Sequence, residues 1–203
     1  MKKLLNLVGI LILLTTGCTA MGDTISPSQL AQEMNVQVRG FNQANASHLT
    51  ELEKLDQETV TMLNQMPNPN AESKPTILGK IEEQKKVLST LQSKIEKIGQ
   101  SLPDLQTKSA QLSDQESQKQ ATTFLQSFTK VYQLEQDLLQ KNQSYLVSQQ
   151  EYLQNISPEK QEKLNQLKEE INKAYQTYTK EVEKFNQSWK KFVETSANGK
   201  VGK

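Results

Sequence analysis

Hydrophobic residues recur every three or four positions along most of the chain beyond residue 26. Four segments carry this pattern, from about Pro27 to Met66, Thr76 to Ile98, Gln118 to Asn155, and Pro158 to Thr195. A helical period sustained over segments of this length predicts amphipathic α-helices. One row of the last segment keeps a seven-residue spacing throughout and consists of Leu164, Ile171, Tyr178, Phe185 and Phe192.

Proline, glycine and serine mark the limits of these segments. Ser26 and Ser157 each precede a proline, which is typical of a capping residue followed by the first residue of a helix. The stretch 67–75 holds three prolines, and Gly99 with Pro103 marks a second break. Residues 104–117 fit either a loop with a helical turn or a bent continuation of the preceding helix.

Long amphipathic helices joined by short breaks predict an all-α fold. We expect an elongated, antiparallel, up-and-down bundle of four long helices over residues 27–195, with a frayed tail at 196–203. A three-helix variant remains an alternative. A helix of 40 residues would be roughly 60 Å long.

The N-terminus has the features of a bacterial lipoprotein signal peptide. Lys2 and Lys3 precede an apolar run from Leu4 to Leu14, which is too short to span a bilayer of about 30 Å. The following Thr-Thr-Gly-Cys sequence resembles a lipobox and ends at Cys18. We therefore predict a signal peptide at 1–17, cleavage by signal peptidase II between Gly17 and Cys18, lipidation of the Cys18 thiol, and a tether that runs to residue 26. An ordinary secretory signal with a chance cysteine is the alternative.

Composition argues against most kinds of chemistry. The chain has one His, one Cys and 24 basic against 23 acidic residues, so we expect no metal site, no cofactor and no nucleic-acid partner. No phosphate-binding loop or catalytic motif is present. His48 lies on an apolar row, which predicts a partly buried structural histidine. The acidic pairs at Glu82-Glu83 and at Glu169-Glu170 are expected to be solvated.

Aromatic residues and charge are unevenly distributed. The aromatics of the last two segments lie mostly on predicted core rows, which favours packing over ligand binding; Tyr175 lies one residue off its row and is expected at the edge. Residues 23–66 carry six acidic and two basic side chains, whereas residues 158–203 carry ten lysines and seven glutamates. Complementarity between these segments would make them neighbours. The alternative is a lysine-rich surface that attracts anionic wall polymer or lipid.

The lipobox and the helix pattern, together with one stretch of the last segment, resemble those of a known protein family. The resemblance is clearest in residues 167–197 (LKEEINKAYQTYTKEVEKFNQSWKKFVETSA). The sequence resembles the YkyA-like family of cell-wall-binding lipoproteins of low-GC Gram-positive bacteria. The matching positions are Ile171, Asn172, Ala174, Tyr175, Phe185 and Asn186. The resemblance implies an up-and-down helical bundle at the cell surface, with no catalytic residues.

These observations lead to one functional hypothesis and two alternatives. The first is a non-enzymatic lipoprotein on the extracellular face of the cell membrane, held there by its lipid anchor, which binds cell-wall polymer or an envelope protein. The second is a structural, coiled-coil interaction module of an envelope complex. The third, an enzyme or a wall-lytic factor, lacks any supporting motif.

Overall fold

The computed structural model describes residues 25–65 and 74–198, which form five helices. Four are long: α1 (Pro27–Gln65), α2 (Lys74–Gly99), α4 (Gln115–Gln154) and α5 (Pro158–Asn198), and a short helix, α3 (Leu102–Ala110), follows α2. No strand occurs in these two ranges, so the prediction of an all-α bundle is confirmed. The 40 residues of α4 correspond to a length of about 60 Å.

Side-chain contacts show that neighbouring helices run antiparallel. Glu58 of α1 lies 3.0 Å from Lys80 of α2, whereas Glu33, near the start of α1, lies 2.7 Å from Lys108 of α3. The residue number therefore falls along one helix as it rises along the other. The α4 helix is antiparallel to α2, because Gln150 bonds to Glu82 whereas Tyr132 contacts Gly99. The α5 helix packs between α4 and α1. The four long helices form an up-and-down bundle, and the three-helix alternative is wrong.

The break between α2 and α3 has a local cause. Pro103 has no N–H group, and its ring would clash with the carbonyl of Gly99 in a continuous helix. The ring of Tyr132, from α4, packs against Gly99 in the space that a Cβ atom would otherwise fill. The α3 helix then continues towards the start of α1, where Leu102 and Leu105 are buried. The first part of the region left open by the sequence is therefore a separate short helix.

Two serines cap the helices as predicted. The hydroxyl of Ser26 accepts a hydrogen bond from the Gln29 N–H at 3.2 Å, and the Gln29 amide oxygen accepts one from the Ser26 N–H at 3.0 Å. This reciprocal pair is a capping box, and it fixes the start of α1. Ser157 accepts from the Lys160 N–H at 3.3 Å at the start of α5.

The bundle has two distinct ends. The Pro27 end comprises the start of α1, the turn between α3 and α4, and the end of α5. The Pro158 end comprises the end of α1, the start of α2, and the turn between α4 and α5. Six aromatic rings pack together in the half nearer the Pro27 end, with neighbouring centroids 4.8–6.3 Å apart: Phe41, Phe124, Phe128, Phe185, Trp189 and Phe192.

The half nearer the Pro158 end has a more polar interior. Thr59 and Gln84 are buried there and bond to each other at 3.0 Å. Among residues 158–177 of α5, Leu164 alone is buried. The other helices bury aliphatic residues in this half, among them Ile77, Ile81 and Leu153, so α5 is its least tightly held element.

Candidate functional site

The predicted lipidation site lies outside the described residues. Gly17, Cys18 and most of the tether precede Ile25, the first residue that the structure describes. Lipidation of Cys18 and cleavage after Gly17 therefore remain predictions.

His48 is a structural residue, as expected. Its side chain is 7% exposed, and its Nδ1 atom lies 2.7 Å from the carbonyl oxygen of Ala44. A carbonyl oxygen only accepts hydrogen bonds, so Nδ1 carries the proton. The ring faces the interior of the bundle and is not placed for work on an external substrate.

The acidic pairs singled out by the sequence lie on the bundle surface. Glu169 and Glu170 are exposed on α5, as predicted. Glu82 has a structural role, because its carboxylate accepts from Lys85 at 3.0 Å and from Gln150 of α4 at 2.9 Å. The hydrogen bond from Lys85 is the main reason that the pKa of Glu82 lies below its ordinary value.

The aromatics of α4 and α5 divide into core and edge. Phe185 and Phe192 are buried in the aromatic cluster, as the row pattern predicted. Tyr175 is partly exposed and stacks on Tyr178, with ring centroids 6.5 Å apart. Tyr175 therefore lies at the edge, in agreement with its position off the row.

Sequence reasoning missed a buried acid in the middle of the bundle. Glu135 of α4 is 5% exposed and is hydrogen-bonded to the Tyr178 hydroxyl of α5. Burial raises the pKa of Glu135 to about 7, although the hydrogen bond from Tyr178 acts in the opposite direction. The signal was available, because Glu135 follows Phe128 by seven residues and so occupies a core position.

The predicted complementarity between α1 and α5 has one local example. Asp56 of α1 lies near Lys168 of α5, and these helices are neighbours. Burial raises the pKa of Asp56, and the Lys168 ammonium partly offsets this effect. Asp56 in turn adds to the effect of burial in raising the pKa of Tyr145.

A shallow cavity lies between α1 and α2, nearer the Pro158 end. Its volume is about 350 Å³. Two apolar residues contribute to its lining, and the others are three glutamates and three lysines: Leu55, Val87, Glu51, Glu58, Glu83, Lys54, Lys80 and Lys86. Lys80 is held by Glu58 and Glu83, each 3.0 Å away, so its charge is neutralised within the protein.

Two kinds of feature are absent from the described ranges. Residues 25–65 and 74–198 contain no group of three or more His, Cys, Asp or Glu side chains that could hold a metal ion. In these same ranges no helix has both the length and the hydropathy that crossing a bilayer requires.

Comparison with known proteins identifies the family. The YkyA family, described as "Putative cell-wall binding lipoprotein", matches residues 29–198. The chain belongs to the YkyA family. The matched region runs from the first turn of α1 to the last residue of α5, so it covers all five helices except the first two residues of α1. No curated protein and no solved structure is detectably similar to the chain.

Proposed function

We propose that the protein is a non-enzymatic lipoprotein, anchored through Cys18 to the outer face of the cytoplasmic membrane, whose bundle binds cell-wall polymer. Membership of the YkyA family, over all five helices, is the observation that carries this proposal. The lipobox that ends at Cys18 supports the anchor, since two or three acyl chains on one cysteine give stable attachment.

With this anchor, the chain topology implies which end of the bundle faces the membrane. The α1 helix begins at Pro27, nine residues after Cys18, so the Pro27 end faces the membrane. An extended tether adds up to about 30 Å, and the helices add about 60 Å. The Pro158 end, with the α1–α2 cavity on its side, would be the part that meets the wall.

A non-enzymatic role is consistent with where the proton-transfer groups lie. Carboxyl and imidazole side chains are common proton-transfer groups in enzymes, and the described residues include a buried example of each, Glu135 and His48. Both are buried inside the bundle, bonded to Tyr178 and to the Ala44 carbonyl, and neither lines the cavity.

Within the cavity, two lysines can attract an anionic polymer. Lys54 and Lys86 are exposed and form no ion pair with another described residue, in contrast to Lys80. The neighbouring glutamates would make this attraction weak, so we expect retention that falls as salt rises.

The anchor is tested by cell fractionation. Cys18→Ala should move the protein out of the membrane fraction, whereas Thr19→Ala, the adjacent matched change, should leave it there. A Cys18→Ala protein that stays with the membrane would contradict the lipid anchor.

Wall binding is tested by retention of the full-length protein, in mild detergent, on isolated cell walls. We expect retention at low salt, loss at high salt, and weaker retention for the Lys54→Glu, Lys86→Glu double variant. The matched control is Lys173→Glu, Lys180→Glu on α5, which changes the net charge equally at two exposed positions. No retention of the unaltered protein at low salt would contradict wall binding. A stronger effect of the α5 variant would move the binding surface to the lysine-rich helix.

A further inference from the structure

The mid-bundle contact between Glu135 and Tyr178 interrupts two apolar rows. On α4, Glu135 follows Phe128 by seven residues; on α5, Tyr178 precedes Phe185 by seven. Phe128 and Phe185 are buried with ring centroids 5.3 Å apart. One heptad towards the Pro158 end, a carboxyl group and a phenol replace this aromatic contact.

The α1 groups at this level are polar, and none of the described ones is among the causes of the pKa shift of Glu135. Phe41 of α1 contacts Phe128, with centroids 5.6 Å apart, and the two helices run in the same direction. Seven residues further along, His48 and Glu135 therefore lie at one level. His48 is bonded to its own helix, and Asn45 has a buried Oδ1 atom with no hydrogen-bond partner in the described part of the chain.

The remaining neighbours add no compensating positive charge. On α2, Gly99 contacts Tyr132, which places Ile95, 0% exposed, at the level of Glu135. On α5, Tyr175 contributes to the raised pKa of Tyr178, and its phenol carries no positive charge. Burial is the main cause of the raised pKa of Glu135, and the Tyr178 hydroxyl opposes it. The charged residues of α2 nearest this level are exposed: Glu96 and Lys97.

We propose that the Glu135–Tyr178 contact is a proton-controlled closure between α4 and α5, which holds the half near the Pro158 end shut when Glu135 is protonated and loosens it when Glu135 ionises. This inference concerns regulation of the bundle and does not require that the wall be the ligand. An ionised carboxylate at this site has one hydroxyl donor and no cation, which is too little to replace its hydration.

The direction of the pH effect follows from linkage. Burial raises the pKa of Glu135 from 4.5 to about 7, so the closed bundle binds more protons than the open one between these values. The stabilisation is complete below the pKa of the open state and is lost as pH rises through about 7. Tyr178 does not release its own proton in this range, because burial, with the neighbouring Glu135, raises its pKa well above the ordinary value.

The half near the Pro158 end is the one expected to open. Leu164 is the one buried residue between positions 158 and 177 of α5, whereas Phe185 and Phe192 fasten the rest of this helix to the aromatic cluster. Opening that starts at Glu135 therefore spreads more readily towards Pro158 than towards Asn198.

Hydrogen exchange of the full-length protein in mild detergent tests this proposal. From about pH 4.5 to about pH 7.5, after correction for intrinsic exchange, we expect the opening equilibrium of residues 160–177 to rise by about 100-fold. Residues 182–196 should stay the more protected at every pH. Identical protection in both segments would mean one global opening and would overturn the proposal.

Three variants separate Glu135 from other titrating groups. Glu135→Gln keeps the shape and an acceptor for Tyr178, and it should abolish the pH dependence of residues 160–177. His48→Gln should retain it, and so should Glu170→Gln, which removes an exposed carboxyl group on α5. Loss of the pH dependence in His48→Gln, or its persistence in Glu135→Gln, would overturn the proposal.

A direct titration decides the matter even if Glu135→Gln does not fold. The carboxyl carbon of Glu135, followed by NMR in the unaltered protein, should titrate near pH 7. In Tyr178→Phe the midpoint should rise further, because the hydroxyl stabilises the carboxylate. A midpoint near 4.5 in the unaltered protein would show that Glu135 is solvated and would overturn the closure.

Discussion

A comparison of three glycines offers the sharpest test of the packing between α2 and α4. A Cβ atom added at Gly99 would lie 2.6 Å from Cε2 of the Tyr132 ring and also against its Cζ and hydroxyl oxygen. At Gly79 an added Cβ meets nothing within 4 Å, and at Gly40 it meets Ile98 Cδ1 at an ordinary 3.7 Å. The same substitution is therefore expected to have opposite effects at these positions.

The magnitudes follow from two competing effects. Alanine in place of glycine inside a helix stabilises by about 0.5–1 kcal/mol, so Gly79→Ala and Gly40→Ala should raise the free energy of unfolding by that amount. At Gly99 the Tyr132 ring must move out of a partly buried position, and overpacking of this kind costs about 1–3 kcal/mol. Gly99 is also the last residue of α2, where the helical gain is smallest. Gly99→Ala should therefore destabilise the bundle by about 1–3 kcal/mol.

Urea unfolding followed by far-ultraviolet circular dichroism measures these differences. The double variant Gly99→Ala, Tyr132→Ala completes a cycle, and it should be more stable than the sum of the two single changes predicts, by about 1–3 kcal/mol. If Gly99→Ala stabilises as much as Gly79→Ala, or if the cycle shows no coupling, the contact between Gly99 and Tyr132 does not constrain the fold as we argue.

The remaining predictions concern the core, a cap and a buried polar pair, and the same unfolding assay measures all three. Phe124 is 0% exposed at the centre of the aromatic cluster, so Phe124→Ala should cost about 3–5 kcal/mol; a loss below about 1 kcal/mol would show that the cluster is not tightly packed. Asp114 accepts from the Ser117 N–H at 2.7 Å, so Asp114→Ala should cost about 0.5–2 kcal/mol, whereas Asp114→Asn, which keeps an acceptor, should cost little. Thr59→Val removes the hydroxyl that accepts from buried Gln84 and should cost about 1–3 kcal/mol. Adding Gln84→Leu should recover most of this loss, and an unchanged deficit would argue against an unsatisfied amide as its cause.

Many features of this bundle were predictable because they depend on local sequence. The four long helices follow from hydrophobic periodicity, and Ser26 and Ser157 cap as their positions before Pro27 and Pro158 suggest. His48 was correctly placed in the interior from its row alone. In each of these cases the determining interaction lies within a few residues along the chain, or within one helical face.

Other features required the tertiary structure. The sequence of residues 104–117 left open a loop with a helical turn and a bent continuation of the helix, because the outcome depends on whether these residues find apolar partners on other helices, as Leu105 does. The burial of Glu135 was missed because a glutamate is usually solvated. Its hydrogen-bond partner, Tyr178, lies on another helix and is brought to it only by the tertiary structure. The order of the helices in space was likewise open until contacts such as Glu33 with Lys108 fixed it.

The sequence by itself determined the helical class, the limits of the long helices to within a few residues and the family, because backbone hydrogen bonds and hydrophobic periodicity are set by nearby residues. Only the tertiary structure decided which polar side chains lose their water, since that depends on every helix packed around them. The raised pKa of Glu135 is a consequence of that packing, and so is the contrast between an aromatic cluster in one half of the bundle and an aliphatic core that encloses Thr59 and Gln84 in the other.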